Sequence, residues 1–207
     1  MKYKALLGAV ALACTALTGQ AQTIQAKLTE ISPALSVKGS FDSGNNYSYY
    51  TAGVNQFEST SSSGFDFEAF CVEPDAGITV GDTLSYTVTD LSQLTNSDKI
   101  AKVIGGFLAS SQNASQAAAA QWAIWELVAE TSSSYSLSSN KVKIKSGEST
   151  QALANSYLSN LDSFTAVNLT YLTNSKKQDM ITWDAVPEPS SLSLLALSAG
   201  LLFRRKR

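Results

Sequence analysis

The chain has 207 residues, 44% hydrophobic and 15% charged, which describes one folded domain rather than a disordered tail or a multidomain machine. Histidine is absent, so the Ser-His-Asp triad, the Cys-His pair and His-ligated zinc are all excluded. Charged residues fall well short of the usual share of about 25%, which speaks against a typical cytosolic enzyme.

At the N-terminus, Lys2 and Lys4 precede an apolar run from Ala5 to Leu17, and Gly19-Gln20-Ala21 supplies small residues before a cut. This pattern predicts a secretory signal peptide over residues 1–21, cleaved after Ala21. Its apolar run is short for a bilayer span. Cys14 admits a lipoprotein alternative, although Ala11-Leu12-Ala13 sets the leucine one place off the usual acylation box.

The domain expected over residues 22–184 begins with strands. Ile24, Ala26 and Leu28 alternate with Gln25, Lys27 and Thr29, the period of a half-buried strand. Ser43-Gly44-Asn45-Asn46 reads as a turn before the aromatic run Tyr47 to Tyr50, and Ser59 to Gly64 as a polar loop. Phe65, Phe67, Ala69 and Cys71 then alternate with Asp66, Glu68, Phe70 and Val72, which sets Cys71 on an inward phase. Pro74-Asp75-Ala76-Gly77 ends that strand, and Leu84, Tyr86 and Val88 mark another.

Two helices follow. Ile100, Val103, Ile104, Phe107 and Leu108 keep helical spacing near 97–111, with Asn96 or Ser97 as N-cap. The second, near 115–130, is alanine-rich and apolar nearly all round, so it is expected to be buried. Ser132 to Ser139 reads as a flexible surface tract and 148–161 as a weak helix. Val167, Leu169, Tyr171, Ile181 and Trp183 close the domain as strands. The expected class is mainly β with inserted helices (α+β), arranged like a β-sandwich.

Residues 185–207 hold a third kind of segment. Val186-Pro187-Glu188-Pro189 is followed by an apolar stretch from Ser190 to Phe203 and by Arg204-Arg205-Lys206-Arg207. The basic cluster stays cytoplasmic under the positive-inside rule, leaving the rest of the chain outside. A plain C-terminal transmembrane anchor fits this pattern. The three-part order more closely resembles the PEP-CTERM sorting signal of Gram-negative bacteria, with Pro187, Glu188 and Pro189 as the motif and Arg204 to Arg207 as the membrane-stop cluster. That resemblance implies a transient stay in the inner membrane, use of the secretion machinery, cleavage near the motif by an exosortase, and release or re-anchoring at the cell surface or in the extracellular matrix. A lipid-anchor signal of the glycosylphosphatidylinositol kind normally lacks the basic cap.

Between the two ends, residues 22–186 carry 9 basic and 16 acidic side chains, a formal charge of −7. Phosphate backbones are repelled by such a surface, so nucleic acid is not an expected partner. With Cys14 removed, Cys71 is the only cysteine of the mature chain. Exported proteins usually pair their cysteines, so a lone one means an intermolecular disulfide, a free thiol or another bond. Gln121 is a second oddity, an amide with Ala117 and Ala118 one turn before it and Ile124 and Trp125 one turn after. Its bland reading is a hydrogen bond to a neighbouring backbone group.

Phe70-Cys71-Val72 and Gln121-Trp122-Ala123-Ile124-Trp125 together resemble the paired motifs of the bacterial surface thioester domain. The likeness covers residues 23–184 and departs at Ala120, where that family has threonine. It implies an internal thioester between the Cys71 sulfur and the Gln121 carbonyl carbon, formed with loss of ammonia and surrounded by Phe70, Trp122, Ile124 and Trp125. Such a bond implies a single covalent attachment to an amine or hydroxyl on a surface polymer or protein. A thiolate adds to a carboxamide only when a rigid site holds the two together. A passive matrix module with a free Cys71 uses the same fold. Catalysis would need an acid/base pair, for which Asp66 with Glu68 or Glu73 with Asp75 are the nominees, but adjacent surface carboxylates are ordinarily solvated, and no enzymatic turnover is expected. Asn45 with those acids forms no calcium-loop motif, so neither metal nor cofactor is expected.

Overall fold

The computed structural model describes residues 22–60, 65–130 and 134–184. The signal peptide with Ala21, and the sorting segment with Pro187, Glu188, Pro189 and Arg204 to Arg207, lie outside the described residues. Among the described residues no helix is long and apolar enough to cross a membrane.

The described residues form seven strands, β1 (Thr23–Ser40), β2 (Ser48–Ser59), β3 (Phe67–Cys71), β4 (Thr83–Thr89), β5 (Lys143–Ile144), β6 (Thr170–Thr173) and β7 (Met180–Thr182). Among the same residues three α-helices are inserted: α1 (Ser97–Leu108), α2 (Ala114–Ala129) and α3 (Ser149–Ser159). The architecture is α+β, a mainly antiparallel sheet with three helices.

The expected sandwich gives way to one closed ring. Strand order runs β2-β3-β7-β6-β4-β1, and β1 pairs with β2 as well, so six strands close on themselves. The cause is the length of β1. Its first residues pair with β4 on one edge (Ala26 opposite Leu84) and with β2 on the other (Ala26 opposite Ser59). Two register shifts, between Leu28 and Glu30 and between Ile31 and Ala34, bend the strand so that its second half leaves the ring. That half still pairs with β2 and picks up β5 at Gly39 and Ser40. Closure removes the exposed edges that an open sheet presents.

Three apolar groups hold the layers. Phe57, Phe67 and Tyr86 meet inside the ring, Phe57 stacked on Phe67 at 4.9 Å and edge-on to Tyr86 at 5.7 Å. Phe70, Phe107 and Trp183 join β3 to α1. Phe41, Tyr50, Trp122 and Trp125 join α2 to the outer half of the β1–β2 ribbon. Helix α2 packs on β1 and β2 with α1 and α3 on its other sides. Every residue from Ala117 to Leu127 is buried, as its all-round apolar sequence requires.

Several local expectations change. Asn96 takes a left-handed conformation and makes no side-chain cap; its amide instead donates to the carbonyls of Leu127 and Glu130 at the end of α2. Asn113 is the capping residue of α2, accepting from the Gln116 N–H at 3.0 Å. Of the tract expected over Ser132 to Ser139, the described residues 134–139 are held in place, together with Asn140 that follows them. Leu137 is fully buried, and Glu126 accepts from the Ser136 N–H at 2.7 Å and the Asn140 amide at 2.6 Å. Val167 and Leu169 precede β6 instead of lying in it. The turn at 43–46 forms as expected, with Ser43 and Gly44 at positive φ and the Asp42 carboxylate receiving Ser40 and Asn46, which holds its pKa down at about 2.

Candidate functional site around Cys71 and Gln121

Cys71 is the last residue of β3, where the sheet opens. Asn55 of β2 faces Ala69, so continuing the register would set Gly53 opposite Cys71. The β2–β3 pairing ends at Asn55 and Ala69, however, and Gly53 keeps only its partner on the other edge, Ala34 of β1. Peptide groups alternate sides along a strand. The Val72 N–H therefore reaches the Asp179 carbonyl beside β7, while both peptide groups of Cys71 face the gap left by β2.

Gln121 fills that gap. Its Oε1 accepts from the Cys71 N–H at 3.0 Å and its Nε2 donates to the Cys71 carbonyl at 2.7 Å. A side-chain amide has the donor and acceptor of a peptide, so one residue of α2 stands in for the missing strand. Gln121 is 1% exposed and Cys71 3%. The bland expectation for Gln121, a bond to a neighbouring backbone group, is met, and the partner is the cysteine itself.

The sulfur sits among poor neighbours for a charge. Phe67, Ala69 and Cys71 share the face of β3 that looks into the ring. The Glu73 N–H donates to Sγ at 3.3 Å. Burial pushes the thiol up to about 12, opposed by the Trp125 indole N–H and that Glu73 N–H and reinforced by the carboxylates of Glu73 and Asp179. The cysteine is therefore a neutral thiol at physiological pH, not the thiolate that nucleophilic addition first suggests.

A cleft of about 380 Å³ leads to the pair. Tyr49, Tyr50 and Asn55 of β2 form one wall, the Pro74–Ile78 turn forms another, and Gln121 and Trp125 form the floor beside Cys71. Tyr49 is among the few large apolar side chains left exposed. Of the residues expected around the bond, Trp125 lines this cleft. Trp122 lies behind it, edge-on to Trp125 at 5.1 Å and stacked on Phe41 at 5.3 Å. Ile124 is buried in α2. Phe70 projects from the opposite face of β3, against Phe107 and Trp183. Sequence reasoning missed Asn55, a 4% exposed amide that donates to the Ala69 carbonyl at 3.3 Å and lines the same cleft. Its place in a polar-looking strand gave no signal of burial.

The nominated acids divide between two places. Asp66 and Glu68 line a separate cleft with Glu58 and Asp184, where burial and the Asp184 charge raise Glu68. Asp75 lines the cysteine cleft, while the Glu73 carboxylate accepts from the Asp179 N–H at 3.4 Å. Among the described residues no group of three or more acidic or cysteine side chains is gathered so as to hold a metal ion.

Residues 185–207 match the PEP-CTERM protein-sorting motif. No curated protein and no solved structure matches the chain. The motif supports an exported protein, anchored at the membrane before sorting and processed by an exosortase. Nothing in these comparisons touches Cys71 or Gln121.

Proposed function

We propose that this chain is an exosortase-sorted protein of the cell surface or extracellular matrix that attaches covalently to amines or hydroxyls through a Cys71–Gln121 thioester. One observation carries the reading: a buried carboxamide is held against both peptide groups of the only cysteine of the mature chain, at the floor of an open cleft.

The chemistry follows from that pairing. The Cys71 N–H already bonds the Gln121 carbonyl oxygen, the oxygen that gains charge when sulfur adds to Cδ. The Sγ–Cδ bond forms, the Cδ–Nε2 bond breaks, and the thiol proton leaves with the nitrogen as ammonia. A neutral thiol suits this route, because its proton has a destination in the leaving group. Later attack by an amine or hydroxyl at Cδ breaks the Cδ–Sγ bond, leaves the partner joined at residue 121 and returns the thiol.

A second reading is favoured by the same two hydrogen bonds. They satisfy Gln121 without any covalent bond, which is what a passive module needs. Methylamine treatment of the exported protein separates the two. The thioester reading expects one methylamine at residue 121 together with release of an alkylatable Cys71, and neither event in Cys71→Ala or Gln121→Ala. Unmodified Gln121 in folded, amine-treated protein leaves the passive module. Stability gives an independent control: Cys71→Ala keeps both backbone bonds, whereas Gln121→Ala strands the Cys71 N–H and carbonyl at a cost of about 1–3 kcal/mol for each.

A further inference from the structure

Trp125 carries a polar atom that the fold does not use. Its indole Nε1 is buried and has no hydrogen-bond partner among the described residues, and the residue as a whole is 3% exposed. Phenylalanine would fill such a place without burying a donor. The ring is fixed by edge-on contacts to Phe41 at 5.3 Å, Trp122 at 5.1 Å and Tyr50 at 6.4 Å. Trp125 lies one helical turn after Gln121 and lines the cleft with it and Cys71. The indole lines the same cleft as the Cys71 sulfur and its N–H is among the groups that favour the charged form of that sulfur, while no acceptor among the described residues engages it in the resting state.

We infer that the Trp125 indole N–H is the donor that receives the Cys71 sulfur when it carries negative charge. This deepens the thioester reading and rests on it for its chemistry. Charge builds on sulfur at one moment above all: when a primary amine adds to Gln121 Cδ and the Cδ–Sγ bond breaks. The sulfur then departs with the bonding pair, and the proton released by the attacking nitrogen completes the thiol. A donor waiting beside the sulfur lowers the energy of that departing charge, and a donor left unpaired in the resting state does not oppose it. Among the described residues, the N–H that does bond Sγ comes from Glu73, whose own carboxylate disfavours charge there.

The test uses the exported full chain with Gln121→Ala, in which no thioester forms, so the donor is read apart from the bond. The pH dependence of Cys71 reaction with a small thiosulfonate is compared with and without Trp125→Phe, which removes the N–H and keeps an aromatic ring. Loss of the donor is expected to slow reaction about tenfold or more at a given pH, the scale of one hydrogen bond to a charged atom, and to move the profile upward. Benzothienylalanine at position 125, the sulfur isostere of the indole, preserves shape if the smaller ring unsettles the fold, and the same displacement is expected. Superimposable profiles in the isostere overturn the inference, whether or not the parent protein forms a thioester. In the parent sequence, the isostere is expected to slow methylamine opening by a similar factor; an unchanged rate also overturns it.

Discussion

Glu126→Gln reports on a carboxyl that the fold buries completely. Glu126 is 0% exposed; its Oε1 receives Ser136 and Asn140 while Oε2 has no partner among the described residues. Desolvation raises its pKa from 4.5 to about 7, against the lowering effect of those two bonds and with a further push from Glu130. The folded protein thus keeps a proton that the unfolded chain releases between pH 4.5 and about 7. Where the native state binds more protons, stability falls as pH rises, so this group costs nothing below that window, weakens the fold progressively through it, and leaves the full penalty in place above it. At about 1.4 kcal/mol per pH unit, the full effect is about 3 kcal/mol. Glutamine keeps an acceptor for Ser136 and Asn140 and never ionises. Urea titrations at half-unit steps should therefore show Glu126→Gln matching the parent below the window and exceeding it by about 3 kcal/mol above. Parallel curves for the two proteins across the window would refute the burial argument.

Other perturbations probe the packing and the ends. Gly39→Ala drives a methyl group into the Trp122 ring and to within 2.7 Å of the Lys143 carbonyl, so a loss of about 1–3 kcal/mol is expected in denaturant titration; a neutral result would mean that the β1–β5 contact yields freely. Asn113→Ala removes the cap of α2 and should cost about 1 kcal/mol, read as a shift in urea midpoint at unchanged slope. Deleting Arg204 to Arg207 should impair membrane retention and with it processing at Pro187-Glu188-Pro189; normal processing of the truncated chain, seen by C-terminal peptide mapping, would remove the basic cluster from the sorting signal.

Periodicity exposed the parts of this fold that have a single environment. The α1 stripe and the all-apolar α2 were legible because their burial follows directly from spacing, and both helices end within three residues of expectation. The closed ring was not legible, since it depends on an 18-residue strand pairing on both edges and bending at two register shifts. No residue pattern encodes that second pairing. Phe70 misled for a related reason: alternation with Glu68 suggests an outer face, yet α1 covers that face with Phe107 and buries it. Cys71 and Gln121 stood out as oddities of composition, and the fold brings them together across a sequence separation of 50. What the sequence concealed was the reason for their meeting, a gap in the ladder that an amide can fill. Glu126 escaped notice because a glutamate in an apolar helix resembles a solvated one until its neighbours are known.

The intact mass of the exported, sorted protein tests the central claim most directly, since one number reports both processed ends and the bond between Cys71 and Gln121. The account predicts a chain that begins after Ala21, ends near Pro187-Glu188-Pro189 and weighs one ammonia less than that sequence requires, with the deficit abolished by Cys71→Ala. A chain cut at both ends but of full mass, with Cys71 free to alkylate after unfolding and Gln121 unmodified, would contradict the thioester and leave a sorted, passive surface module.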